Sequence, residues 1–223
     1  MERIIVLDTE TTGVTPSDRI VELAWIEIDQ NLEEVDRFRT LVDPEMLISP
    51  SAMGVHHITD DMAASAPTIE EVFAVVRPKE FEGQGVVMVA HNADFDHRYV
   101  QDHVPVKECV CTLRLARHFW PDAPDHRLQT LRYLHKLKGG VGAHGALEDC
   151  ETTLALLRHI CAEQKIGLEW VRRLCRGTLR VHRIPFGKHR GSKISELPRG
   201  YKVWLLGTDL DPDLRAAVIA SLK

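Results

Sequence analysis

The chain has 223 residues, 44% of them hydrophobic and 27% charged, with 28 Lys and Arg against 33 Asp and Glu and a formal charge of −5. That length accommodates one mid-sized domain plus a small appendage, and that charge excludes a bulk-basic, histone-like or ribosomal nucleic-acid binder. No apolar run approaches the roughly 20 residues that span a bilayer, so no membrane partner is expected.

The first residues carry Glu2 and turn polar by Asp8, unlike a signal peptide. Ile4-Ile5-Val6-Leu7 is a short apolar run that reads as a buried strand ending at Asp8. Residues 20–28 and 34–42 predict two more strands around the turn signal Asp29-Gln30-Asn31. Thr68, with Glu71 three residues on, forms a capping box that opens a helix over 68–77. Val86 to Ala90 is a second wholly apolar strand, followed by a helix from Ala93 to Asp102. A fifth strand is expected at 107–112, then helices at 112–119 and 128–137.

A glycine-rich loop holding Gly139, Gly140, Gly142 and Gly145 comes next, and the helix after it is expected to bury Leu147, Cys150, Leu154, Leu157 and Cys161. Trp25, Trp120 and Trp170 are expected in the core. Strands followed by alternating helices and strands imply an α/β fold with a mixed central sheet flanked by helices. Five cysteines, an odd number without a C-x-x-C pair, read as reduced thiols of a cytoplasmic protein.

The net charge conceals an asymmetry. Residues 1–164 carry 15 Lys and Arg against 28 Asp and Glu, whereas residues 165–223 carry 13 against 5. The expected organisation is a body over 1–164, a basic helix and linker over 165–182, and a small basic module over 183–223. That module ends in a helix capped by Asp211 with Pro212 at its first position. A basic appendage on an acidic body suggests a polyanion partner.

The acidic residues cluster at element ends. Asp8 and Glu10 close the first strand in the string Asp8-Thr9-Glu10-Thr11-Thr12-Gly13, and their side chains share a face if the strand continues. Asp-x-Glu alone is uninformative: chance expects about 1.2 such pairs in this composition, and the sequence has three. A second string, His91-Asn92-Ala93-Asp94-Phe95-Asp96, follows the other buried strand. The third, His144-Gly145-Ala146-Leu147-Glu148-Asp149, joins the glycine loop to the next helix. Residues five apart on an unbroken helix diverge by about 140°, so His144 faces the site of Asp149 only from the preceding loop.

In this order the three strings resemble the motifs of the DEDDh superfamily of 3′→5′ exonucleases, Asp8 and Glu10 matching the first, Asp96 the second, and His144 with Asp149 the third. Val55-His56-His57-Ile58-Thr59 is similar to a family segment that usually reads Val-His-Gly-Ile-Thr, with His57 in place of the glycine. The resemblance covers residues 3 to about 163 and implies a ribonuclease H-like fold. It also implies hydrolysis of nucleic acid from the 3′ end with two divalent cations, Mg²⁺ or Mn²⁺, held principally by Asp8, Glu10 and Asp149, with Asp96 completing the second through a carboxylate or a water. Hard cations want such oxygen donors. His144 is then the general base, and a glycine-bordered loop lets it close over bound substrate.

By the same resemblance Thr11, Gly13 and Val14 line the 3′-terminal nucleotide, His56 contacts it or else serves a structural role, and Asn92 positions the nucleotide. His91 reads either as a positioning residue or as a packed strand-end residue, and Asp94 as a helix N-terminal charge.

In the tail, Phe186-Gly187-Lys188-His189-Arg190-Gly191, with Tyr201 and Trp204 downstream, resembles the small C-terminal module of exodeoxyribonuclease X-like proteins. Lys188, Arg190 and Lys193 are expected to hold phosphates without reading sequence, while Tyr201 and Trp204, three apart on a short helix, suit packing before base stacking. The expected partners are DNA 3′ ends, single-stranded before duplex, and replication or repair proteins. RNA trimming is the alternative substrate reading, and a nucleic-acid-binding or polymerase-associated subunit without turnover is the alternative of another class.

Overall fold

The computed structural model describes residues 2–80, 85–140 and 144–222; Gly142 of the expected glycine loop lies outside them. Five strands form one sheet in the order β3-β2-β1-β4-β5, with β1 at Arg3–Thr11, β2 at Ile20–Ile28, β3 at Glu34–Leu41, β4 at Val86–Ala90 and β5 at Val106–Cys111. β1, β2 and β3 pair antiparallel, and β4 joins β1 and β5 in parallel. The mixed α/β sheet expected from the alternation of elements is present, as in ribonuclease H-like folds.

The period of two along β1 divides the core. Ile4 and Val6 pack on one face with Leu154, Leu157 and Ile160 of α7 (Ala146–Gln164). Ile5 and Leu7 pack on the other with Val72 and Phe73 of α3 (Ile69–Glu80) and Val100 of α4 (Ala93–Val100). The expected capping box opens α3, Thr68 and Glu71 exchanging hydrogen bonds in both directions.

Several boundaries differ from expectation. β1 continues past Asp8 to Thr11 because β2 runs alongside it, pairing Asp8 with Ala24 and Glu10 with Glu22. Two short helices, α1 (Pro50–His56) and α2 (Asp60–Ala63), lie in a stretch that shows little periodicity. Ser49 caps α1, accepting from Ala52 N–H, ahead of Pro50. His57, at the family's glycine position, ends α1 in the left-handed region at φ 61°, which explains why glycine is usual there. α4 stops at Val100 and α6 (Leu128–Leu134) stops three residues early, before Lys136 at φ 53°. α5 covers Thr112–Phe119 as expected.

Leu147 is only half-buried. Trp25 is core, but Trp120 is half-buried with its ring 4.0 Å from that of His135, and Trp170 is 52% exposed on the solvent face of α8 (Leu168–Arg176). The sequence missed this because α8 is amphipathic and aromatic content alone does not assign a face.

α8 packs against the first core through Leu168, Val171 and Cys175, and Leu179 beyond it does the same. A third core follows around Val181, Ile184, Leu205 and Leu214, built with α9 (Arg199–Leu206) and α10 (Pro212–Ala220). Asp211 caps α10 through Leu214 N–H. Arg114 of α5 clamps this segment to the body: its guanidinium donates to both carboxylate oxygens of Asp213 and to the carbonyls of Cys175 and Gly177. Among the described residues no helix is long and apolar enough to cross a membrane, and all five cysteines are free.

Candidate active site

β1 outruns its parallel neighbour. Their pairing extends from Arg3 opposite Val86 to Val6 opposite Val89, so Asp8 and Glu10 project where β4 has ended. Crevices at the carboxyl ends of parallel strands are where open α/β sheets place ligands. Asp8 and Glu10 share the parity of Ile4 and Val6 and therefore face α7, whose first turn carries Asp149. Ligand oxygens of Asp8, Glu10 and Asp149 all lie within 4.8 Å of one another.

Asp96 approaches from the opposite face, one turn into α4. It stands outside that three-carboxylate group: Thr9, of the alternate parity, donates to its Oδ1 from both backbone N–H (3.0 Å) and hydroxyl (2.9 Å). The separation of Asp96 from the three principal carboxylates is as expected, and it leaves Asp96 Oδ2 as the oxygen without a bond to Thr9.

Burial raises the pKa of all four carboxyls, reinforced at Asp8, Glu10 and Asp96 by repulsion from neighbouring carboxylates and at Asp149 by Glu148; Asp8 lies well above its ordinary range and Glu10 is pushed up to about 8, with Asp149 and Glu22 the next contributors after burial. None of the four forms an ion pair with Lys or Arg among the described residues, and such a cluster of hard oxygen donors fits divalent cations.

The linkage sign follows from Glu10. Its protonated form contributes stability that is fully present below the unfolded value of 4.5 and is lost as pH rises toward about 8. The metal-free protein is therefore expected to melt lower at about pH 8.5 than at about pH 5.5, and Mg²⁺ to raise the melting temperature most at the higher pH. Calorimetry in chelator, with and without added Mg²⁺, measures this; equal melting temperatures at both pH values would contradict it.

Gly140, ahead of α7, packs tightly against that helix. A Cβ on Gly140 would come 2.6 Å from the Cα of Glu148, so only glycine lets this segment lie against α7. His144 follows at φ 67°. Glu22, a charge early in the largely apolar β2 and 1% exposed, accepts from Ala146 N–H at 2.8 Å and pairs with Arg39, which also reaches Glu148. Gln129 of α6 donates to Asp149 at 2.8 Å. Sequence reasoning missed both: the charge breaking β2's apolar run was a signal for Glu22, and nothing marked Gln129.

The remaining expected residues separate. Thr11 is buried, its hydroxyl donating to Gly13 carbonyl, and Val14 is 77% exposed at the rim. His56 is buried and spends both ring nitrogens on the chain, Nδ1 accepting from Ile58 N–H and Nε2 facing the Thr11 carbonyl at 3.3 Å. The ring thus holds the end of β1, the structural role that was the alternative to nucleotide contact, while still lining a cavity beside His144. His91 is likewise committed, to Thr112 hydroxyl and His126 carbonyl, and burial pushes its pKa down to about 4.

Asn92 (φ 81°), His144, Asp149 and Arg190 line one cavity of about 730 Å³. Lys188 and Lys193 are not among its walls, Lys193 lying 3.6 Å from Glu196. Tyr201 packs on the third core, while Trp204, stacked on it at 5.3 Å between centroids, is 58% exposed.

Comparison with known proteins adds to this geometry. A family model described as an exonuclease matches residues 5–157. Exodeoxyribonuclease 10 of Escherichia coli K12 is 33% identical over 218 residues, 94% of each chain. A PolC-type DNA polymerase III of Caldanaerobacter subterraneus is 34% identical over 75% of this chain and 12% of its own. Among solved structures, exonuclease X in complex with 5′-overhanging duplex DNA superposes with a TM-score of 0.61 at 36% identity, covering 78% of this chain and 98% of that one.

Proposed function

The chain belongs to the exonuclease family, and from that membership we propose a 3′→5′ exodeoxyribonuclease that prefers single-stranded DNA, tolerates duplex ends and releases nucleoside 5′-monophosphates. The observation that carries this reading is the convergence of Asp8, Glu10 and Asp149 within 4.8 Å at the free end of β1, with His144 at the edge of the same site.

Phosphodiester hydrolysis builds charge on the phosphate and needs a deprotonated water. Two divalent cations, Mg²⁺ or Mn²⁺, supply Lewis acidity and charge neutralisation when bound; Asp8, Glu10 and Asp149 would hold them, with Asp96 serving the second through its free oxygen or a water. His144, whose ring forms no hydrogen bond among the described residues, takes the proton of the attacking water. Thr11, Gly13 and Val14 border the 3′-terminal nucleotide, with His56 bracing Thr11, and Asn92 positions the strand behind it. Lys188, Arg190 and Lys193 attract the phosphate backbone without reading bases. Replication or repair proteins are the partners this reading calls for, by analogy with the polymerase relatives.

The test is degradation of 5′-labelled DNA and RNA single strands of matched sequence, and of the DNA as a duplex, with Mg²⁺ present. A 3′-shortened ladder is expected, fastest for single-stranded DNA; faster loss of RNA would overturn the substrate assignment.

A further inference from the structure

Two cavities meet at His144. The smaller, about 570 Å³, is walled by Glu22, Glu148, His56 and Met62, and its one arginine, Arg39, is already shared between Glu22 and Glu148. The larger, about 730 Å³, runs from His144 and Asp149 to the C-terminal segment and is bordered by four arginines: Arg117 and Arg127 from the body, Arg183 and Arg190 from the tail. Its volume lies within the roughly 300–1,000 Å³ typical of ligand sites.

The arginines of the larger cavity are weakly satisfied. Arg127 and Arg190 form no ion pair among the described residues. Arg117 has a buried Nε without a hydrogen-bond partner, and its closest carboxylate, Asp211, stands 3.9 Å away. Only Arg183 is committed, to Asp122 and the Gly191 carbonyl. The cavity's own acid away from the catalytic carboxylates, Asp125, accepts from the Arg127 backbone N–H and feels the charge of Arg127 and Arg190, but forms an ion pair with neither among the described residues.

An exonuclease site must place the terminal nucleoside on one side of the scissile phosphate and the rest of the strand on the other. A strand brings phosphates, which the smaller cavity, with two carboxylates and a spent arginine, does not favour. We propose that the larger cavity is the channel for the strand 5′ of the scissile phosphate, and that Arg117 and Arg127 with Arg183 and Arg190 form its two phosphate-binding walls. The C-terminal segment is then a wall of the substrate site, not a tethered accessory. This rests on the nuclease reading but is tested by binding, which needs no turnover.

The experiment measures binding of fluorescein-labelled single-stranded DNA by anisotropy across a salt series, with Ca²⁺ in place of Mg²⁺, for wild type and for Arg127→Ala with Arg190→Ala. Both residues are exposed, so the fold should persist. Each lost phosphate contact lowers the slope of log affinity against log salt by about 0.7, so the double variant's slope should fall by about 1.4. Its preference for a long strand over a dinucleotide in kcat/KM should fall on the order of tenfold. Arg173→Ala with Arg199→Ala removes the same charge from exposed sites outside the cavity and should leave the slope unchanged. An unaltered slope in the first variant, or an equal fall in both, overturns the channel. Failure of wild type to hydrolyse any strand, with the slopes as expected, overturns the nuclease reading alone.

Discussion

Asp8→Ala combined with Asp149→Ala is expected to abolish hydrolysis while raising the stability of the metal-free protein. The two carboxylates come from different elements, β1 and the first turn of α7, and bring oxygens within 4.8 Å of each other and of Glu10. Burial raises the pKa of both, reinforced at Asp8 by the neighbouring carboxylates and at Asp149 by Glu148, so their ionised forms are costly in the metal-free fold. Removing them relieves that cost but leaves only Glu10 and Asp96 to hold a cation. Alanine is the informative replacement because asparagine would retain a ligand oxygen. Losing the several kcal/mol of transition-state stabilisation that bound cations supply corresponds to a fall in kcat on the order of 10³-fold or more. Two readouts check the assignment together: turnover of a labelled oligonucleotide, and the melting temperature with and without Mg²⁺. The variant should melt higher than wild type in chelator and lose the Mg²⁺-dependent increase. A variant that keeps turnover, or keeps the Mg²⁺ response, would mean that the cation is held elsewhere. Activity bought at the cost of stability is common at functional sites.

The positions of those carboxylates were legible because they lie where periodicity changes. The apolar runs ending at Asp8 and before His91 marked two strand ends, and the glycine loop before Asp149 marked a helix start. What was not legible is what depends on pairing between distant segments. That β1 continues to Thr11 is decided by β2, through pairs such as Glu10 with Glu22, and not by the local sequence. That Asp96 is turned by Thr9 depends on α4 crossing the sheet end from the face opposite α7.

The histidines were ambiguous for the same reason. His56 and His91 sit in strings that look functional, yet both rings are fully hydrogen-bonded to the protein; only the fold distinguishes them from His144. Arg117 and Arg127 were invisible because nothing in their neighbourhood marks them until the tail folds back to make the opposite wall.

The charge break near residue 165 suggests a tail that can be removed there, and the packing predicts the opposite. A chain ending at residue 164 should be largely unfolded, whereas one ending at 180 should fold and bind DNA more weakly than wild type. Leu168, Val171, Cys175 and Leu179 are each at most 6% exposed and belong to the same core as Ile4, Val6 and Leu157. Burying a large apolar side chain contributes about 1.5–3 kcal/mol, so losing these four is comparable to the 5–15 kcal/mol that holds a typical domain together. The cut also removes Arg172, which is 5% exposed and pairs with Glu2 and Glu108. The Glu108 carboxylate would be left without Arg172 and Arg176, a costly state for a largely buried charge. Ending at 180 keeps α8 and Leu179 and removes the third core, the Asp213 clamp and the surface pairs Arg183–Asp122 and Arg117–Asp211. Arg114 would then lose two bonds and keep those to the Cys175 and Gly177 carbonyls. Circular-dichroism melting of the two truncations decides the matter: a cooperative transition near the wild-type temperature for the chain ending at 164 would show that α8 is dispensable. In the chain ending at 180 the body's Arg117 and Arg127 face solvent in place of Arg183 and Arg190, and its oligonucleotide affinity should fall with a shallower salt dependence.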